Sequence, residues 1–219
     1  MSSTPSRRQY MQPDRYTIAL VESIKHCAWI TLKLFTAVIY DDKAQIRNMP
    51  LIIQNELKKF NDYTGHSYKI KYDSDAIDIS LQLADTLSKM MDITIRSMDD
   101  LVTQWINKSK DIIKTYPTKQ KALYDTLKIA RDDVCDISDR LEFINKAIVS
   151  MKEIITNFNT TKNKHIAEQS IYKSKEIIIL TCSCVIQGIQ YTVKNIGDLE
   201  KILVIESNEE NLLGKKLLS

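Results

Sequence analysis

Glycine and proline are scarce: four of each in 219 residues. Tight turns draw on these two, because glycine reaches positive φ without strain and proline presets φ near the value a turn needs. Sheet-rich folds and compact α/β enzymes need many such turns. The shortage excludes them and predicts few turns joining long uninterrupted elements. Charge of one sign is missing as well. The net charge is +3, from 31 basic and 28 acidic residues interspersed along the chain. Nucleic acid is recognised by a concentrated basic face, so no nucleic-acid partner is expected.

The four cysteines, Cys27, Cys135, Cys182 and Cys184, have the spacing of neither a disulfide framework nor a zinc site. His26, His66 and His165 are scattered without ligand spacing. The first fifteen residues contain no apolar run, so no secretory signal is expected and a cytoplasmic setting with reduced thiols is the default. The glycosylation-like triplets at Asn107 and Asn159 then read as chance.

What is present is helical periodicity. With 43% apolar and 27% charged residues, the chain suits one soluble domain with a substantial core. Residues 1–12 read as a polar disordered tail, 13–205 as the helical domain, and 206–219 as a tail that turns from polar to amphipathic. Pro13 fits a first helical turn. The run 16–40 is apolar on most faces, with Ile24, Trp29, Leu34, Phe35 and Val38, and predicts a buried helix. A helix over 43–61 kinked at Pro50, a loop over 62–75, and a polar loop over 159–165 are expected next. A helix over 166–195 follows, closed by Gly197 as a C-cap, with a short apolar stretch at 199–205.

Two segments repeat at alternating steps of four and three. The first runs Ile77, Leu81, Ala84, Ser88, Met91, Ile95, Met98, Val102, Trp105, Ser109, Ile112, Tyr116. The second runs Leu123, Leu127, Ala130, Val134, Ile137, Leu141, Ile144, Ile148, Met151, Ile155, Phe158. Such a repeat is the seam of a coiled-coil-like pair. Only Pro117-Thr118 breaks it, so the two helices must fold back antiparallel as a hairpin.

This register constrains the candidate chemistry. Asp132, Asp133 and Asp136 have the spacing with which all-α isoprenoid enzymes hold Mg²⁺ against a diphosphate. Here Val134 and Ile137 occupy the seam, which turns Asp132 and Asp136 toward solvent, and no second such motif exists. Asp78, Asp85, Asp92 and Asp99 recur every seven residues beside the seam. Their simplest role is a polar flank pairing with lysines; a ladder for cations or a basic partner is the sharper alternative. Cys182 and Cys184 point about 200° apart on a helix and cannot share a metal. Gly214-Lys215 lacks the upstream glycine and strand of a phosphate loop. No catalytic, cofactor-binding or metal residue is assigned.

Segment 177–193 is seventeen residues without a charge, about 25 Å as a helix and at the lower limit for crossing a bilayer. A central core helix, buried on nearly all sides, is its simpler reading. In the alternative, Ile177, Ile178, Ile179, Leu180, Val185, Ile186 and Ile189, together with helix 16–40, insert into a membrane. Lys108, Lys110, Lys114, Lys119 and Lys121 gather around the Pro117 turn as a basic tip. Lys58, Lys59, Lys69, Lys71, Lys162, Lys164, Lys173 and Lys175 are expected at the opposite end. Either tip could meet an anionic lipid surface.

The sequence thus predicts an all-α, elongated antiparallel bundle of four to five helices built on a long coiled-coil-like hairpin. The expected role is non-catalytic: an interaction or assembly module for a protein partner or for self-association. A membrane-active bundle is the second expectation.

Overall fold

The computed structural model describes residues 12–115 and 120–217, with side chains chiefly at 12–107 and 135–198. The tail 1–11 and the Pro117-Thr118 turn lie outside the described residues, as do the side chains of Leu127, Val134, Lys108, Lys119 and Lys121. Among the described residues there are five α-helices and no strand: α1 (Pro13–Ile39), α2 (Lys43–Thr64), α3 (Ala76–Thr115), α4 (Gln120–Thr161) and α5 (Lys164–Leu217).

The starts of α1, α2 and α3 each have a physical cause. Pro13 occupies the first turn of α1, where no amide partner is lost. Asp42 caps α2 by accepting from the Gln45 amide at 3.0 Å. Asp75 caps α3 by accepting from the Ile77 and Asp78 amides at 2.8 and 2.9 Å. Gly65, at φ 71, ends α2 in the left-handed conformation, and its amide donates to the Asn61 carbonyl at 2.8 Å. Loop 65–75 is then pinned to α2 by Asn61, whose amide side chain brackets the Tyr68 backbone with two bonds of 3.0 Å.

Four helices form a ring in which α1 and α4 each pack against α3 and α5, while α2 lies outside on α1. Thr17 near the start of α1 bonds Ser97 well along α3 at 2.8 Å. Phe35 near the end of α1 meets Phe158 near the end of α4 edge-on, with ring centroids 5.4 Å apart. So α1 and α4 run one way and α3 and α5 the other. At 27 residues α1 is far shorter than α5 at 54, about 40 Å against about 80 Å, and the three long helices continue past the point where α1 begins.

Several expectations change. The gap between α4 and α5 is only 162–163, not 159–165. Lys162 adopts φ 52 and its amide donates to the Phe158 carbonyl at 2.9 Å, so a lysine does the chain reversal usually left to glycine. Gly197 is not a C-cap; it lies inside α5, which runs unbroken through the expected 199–205 stretch and the expected tail to Leu217. A glycine in a helix interior is tolerated at modest cost when flanking residues continue the pattern. The most enclosed helix is α1, with fourteen buried residues, whereas segment 177–193 has one buried side only.

In α4 every described seam position from Ile137 to Phe158 is buried: Ile137, Leu141, Ile144, Ile148, Met151, Ile155 and Phe158. In α3 the seam is shifted. Met91 and Met98 are buried, but Ile77, Leu81, Ile95, Val102 and Trp105 are only partly so, while Leu83, Leu87, Met90, Thr94 and Leu101 are enclosed. The cause is a second neighbour: Asp85 on one flank of α3 pairs with Lys152 of α4, and Ser97 on the other bonds Thr17 of α1. The centre of burial falls between them. The buried threonine hydroxyls are satisfied within their own helices, Thr31 donating to the Cys27 carbonyl at 2.8 Å and Thr94 to that of Met90 at 3.0 Å.

Candidate interaction surface

The outward face of α5 departs most from an ordinary surface helix. Its inner face carries Ile178, Val185 and Ile189, each fully enclosed, with Cys182 between them and Ile186 at 7% exposure. Helical spacing turns the next residues outward: Leu180, Cys184, Gln187 and Tyr191 follow steps of four, three and four on one face. Leu180 is 62% exposed and Tyr191 60%. A solvent-facing helix normally carries charge on its outer side; here none occurs from 177 to 193.

Of the seven residues expected to enter a membrane, Ile178, Val185, Ile186 and Ile189 belong to the bundle core, Ile177 and Ile179 are half-buried, and Leu180 alone is exposed. The expected central helix is therefore a peripheral one. Absence of charge is not burial: Thr181, Ser183, Cys184, Gln187 and Gln190 are uncharged yet suit a water-facing side. Close packing fixes the rotation of α5, because an atom at the missing Cβ of Gly188 would lie 3.1 Å from Cγ1 of Ile137. Phe143 of α4 is a further exposed ring, at 50%.

A second exposed aromatic, Trp29 of α1, is 42% exposed with the Lys33 ammonium 4.9 Å above its ring. Beside it His26 Nδ1 stands 3.7 Å from Glu56 Oε2 of α2. Surface clefts lie at the helix ends. One of about 430 Å³ gathers Tyr16, His66, Arg96 and Asp100; another of about 290 Å³ lies where α1 begins, between Leu101 and Trp105 of α3 and Ile196 of α5.

The remaining candidates stay apart. Asp132 and Asp136 are exposed, and so are Asp78, Asp85, Asp92 and Asp99, of which Asp85 pairs with Lys152 across to α4. Cys182 is buried and Cys184 exposed on opposite sides of α5. Burial pushes the Cys182 thiol up to about 12, against a small opposing pull from Lys25, and pushes the Cys27 thiol up to about 12 with help from Glu56. Lys110 and Lys114 are exposed near the end of α3. The other lysines do not converge on one end. Lys162 and Lys164 sit at the α4–α5 turn, but α2 runs back along α1 and carries Lys58 and Lys59 toward the middle, where Lys59 bonds Glu56 at 2.7 Å.

No protein family, curated protein or solved structure matches this chain. Among the described residues no group of three or more His, Cys, Asp or Glu side chains is placed to hold a metal ion. One segment, Lys164–Asp198, is long and apolar enough to cross a membrane by length and composition, with 33% of its apolar window buried. Helix α1, the other element expected to insert, does not meet that criterion among the described residues.

Proposed function

We propose that the protein is a non-catalytic interaction or assembly module whose working surface is the outward face of α5. The supporting observation is a helix seated in the bundle by one face while its other face, uncharged for seventeen residues, leaves Leu180 and Tyr191 more than half exposed. Leu180 and Tyr191, about 16 Å apart on one face, gain free energy from being covered, at about 25 cal/mol per Å² of apolar area removed from water, and the uncharged residues between them add no charge to desolvate. Such faces mark association sites far more often than scattered exposed residues do.

The test is photo-crosslinking from positions 180 and 191, with position 149 as control, since Val149 is an exposed apolar residue of α4 at 46% outside this face. Protein adducts from 180 and 191 well above those from 149 are expected. Equal yields at all three sink the reading. A membrane-active bundle is the second reading, favoured by the length and apolarity of Lys164–Asp198. Flotation with vesicles, with dye release that Leu180→Lys abolishes, would put it first. Binding to anionic vesicles alone, without release, would point to the lysines instead.

A further inference from the structure

The charge-free stretch of α5 is bracketed in a particular order. On the same outward face, Lys173 and Glu176 precede Leu180, and Lys194 and Asp198 follow Tyr191, all at helical steps of three or four and all exposed. Outer and inner charges are reversed between the two ends: basic then acidic at the first, basic then acidic again at the second when read along the chain. That order is mismatched with a parallel copy of itself and matched with an antiparallel one.

We propose that α5 pairs with α5 of a second copy of this chain, antiparallel about a twofold axis passing between Cys184 and Gln187. The inference rests on the reading of α5 as the working surface and names its occupant. In this arrangement Leu180 faces Tyr191 of the second copy, Cys184 faces Gln187, Lys173 faces Asp198, and Glu176 lies beside Lys194; twofold symmetry makes each contact twice. A parallel pairing would set Lys173 against Lys173 and Glu176 against Glu176, with like charges opposed along the seam. A lipid surface would accept Leu180 and Tyr191 but gives no reason for the reversed order of charges.

The groups are free to pair. Among the described residues Lys173, Glu176 and Lys194 make no ion pair, and Asp198 holds only an exposed contact with Lys201 at 3.4 Å, of the kind that contributes little. From 173 to 198 the contact would run about 38 Å.

Light scattering and sedimentation velocity on the intact chain, across roughly 1–100 µM, should find twice the 25.3 kDa chain mass. Leu180→Lys should give a monomer with unchanged helical circular dichroism. Glu176→Lys, which opposes lysines at two symmetric places, should weaken dimerisation about tenfold. Adding Lys194→Glu in the same chain should restore it to within about twofold. These two positions lie about 27 Å apart on one helix, so the rescue has to act between chains. A monomer throughout, a dimer indifferent to Leu180→Lys, or a double variant no tighter than Glu176→Lys alone overturns the proposal. A monomer whose position-180 adducts to another protein persist overturns self-pairing while the interaction reading stands; loss of those adducts as well overturns both.

Discussion

Two glycines of α5 sit in the same helix and should respond to substitution with opposite signs. A Cβ on Gly197 would meet nothing within 4 Å, whereas one on Gly188 would lie 3.1 and 3.2 Å from the Ile137 side chain of α4. Alanine in an open helix interior lowers the conformational entropy of the unfolded chain, so Gly197→Ala should raise stability by about 0.5–1 kcal/mol. Were Gly197 the left-handed cap its position in the sequence suggests, the same change would destabilise. The sign in a urea titration therefore reports the local conformation directly. Gly188→Leu should cost about 1–3 kcal/mol, because a branched side chain has to displace the Ile137 side chain packed against this position.

At the scale of elements, the starts of helices are set by single side chains. Asp75 is exposed, yet its Oδ1 takes two amide bonds at the head of a 40-residue helix. Asp75→Ala should lower the melting midpoint, at a cost of about 1 kcal/mol, and Asp75→Ser should recover most of it. Such caps are legible in sequence because aspartate before an apolar repeat is a local signal. The inner face of α4 is legible for the same reason: it has one dominant register, and Ile137 through Phe158 occupy it. Half of the inner face of α3 is not, because a helix between two neighbours buries a wide arc and a heptad traces only one edge of it. The α4–α5 turn is legible as a polar break, but not its tightness, because a lysine, Lys162, takes the positive φ that a glycine would signal. The outer face of α5 is the least legible, because a run without charge is not a run without solvent. The outward stripe at Leu180, Cys184, Gln187 and Tyr191 becomes visible only when the rotation of the helix is known, and Gly188 against Ile137 is the contact that fixes it.

For the whole molecule, the four thiols divide into two probes of the surface and two of the core. Cys135 and Cys184 are exposed, while Cys27 and Cys182 are buried on different helices, with pKa values pushed up to about 12 by burial. The thiolate is the reactive form, so near pH 8 a disulfide reagent should label two thiols at once and reach the other two only when the bundle opens. Cys27 lies on α1 near Glu56 of α2, and Cys182 on α5 near Lys25 of α1. If the ring of four helices and α2 open as one unit, the two slow thiols should give the same opening free energy, equal to that from urea unfolding. A smaller value at Cys27 would mean that α2 peels away first. The raised pKa values also set a pH limit. In the unfolded chain these thiols ionise near 9, whereas folded they hold their protons to about 12. The unfolded state therefore binds fewer protons above pH 9, and stability should be fully present below that value and fall as pH rises toward 12. The slope from each buried thiol is at most about 1.4 kcal/mol per pH unit. Cys27→Ala and Cys182→Ala should each flatten that alkaline decline in a urea series taken from pH 8 to pH 11, and an unchanged slope in both would show that the decline has another source.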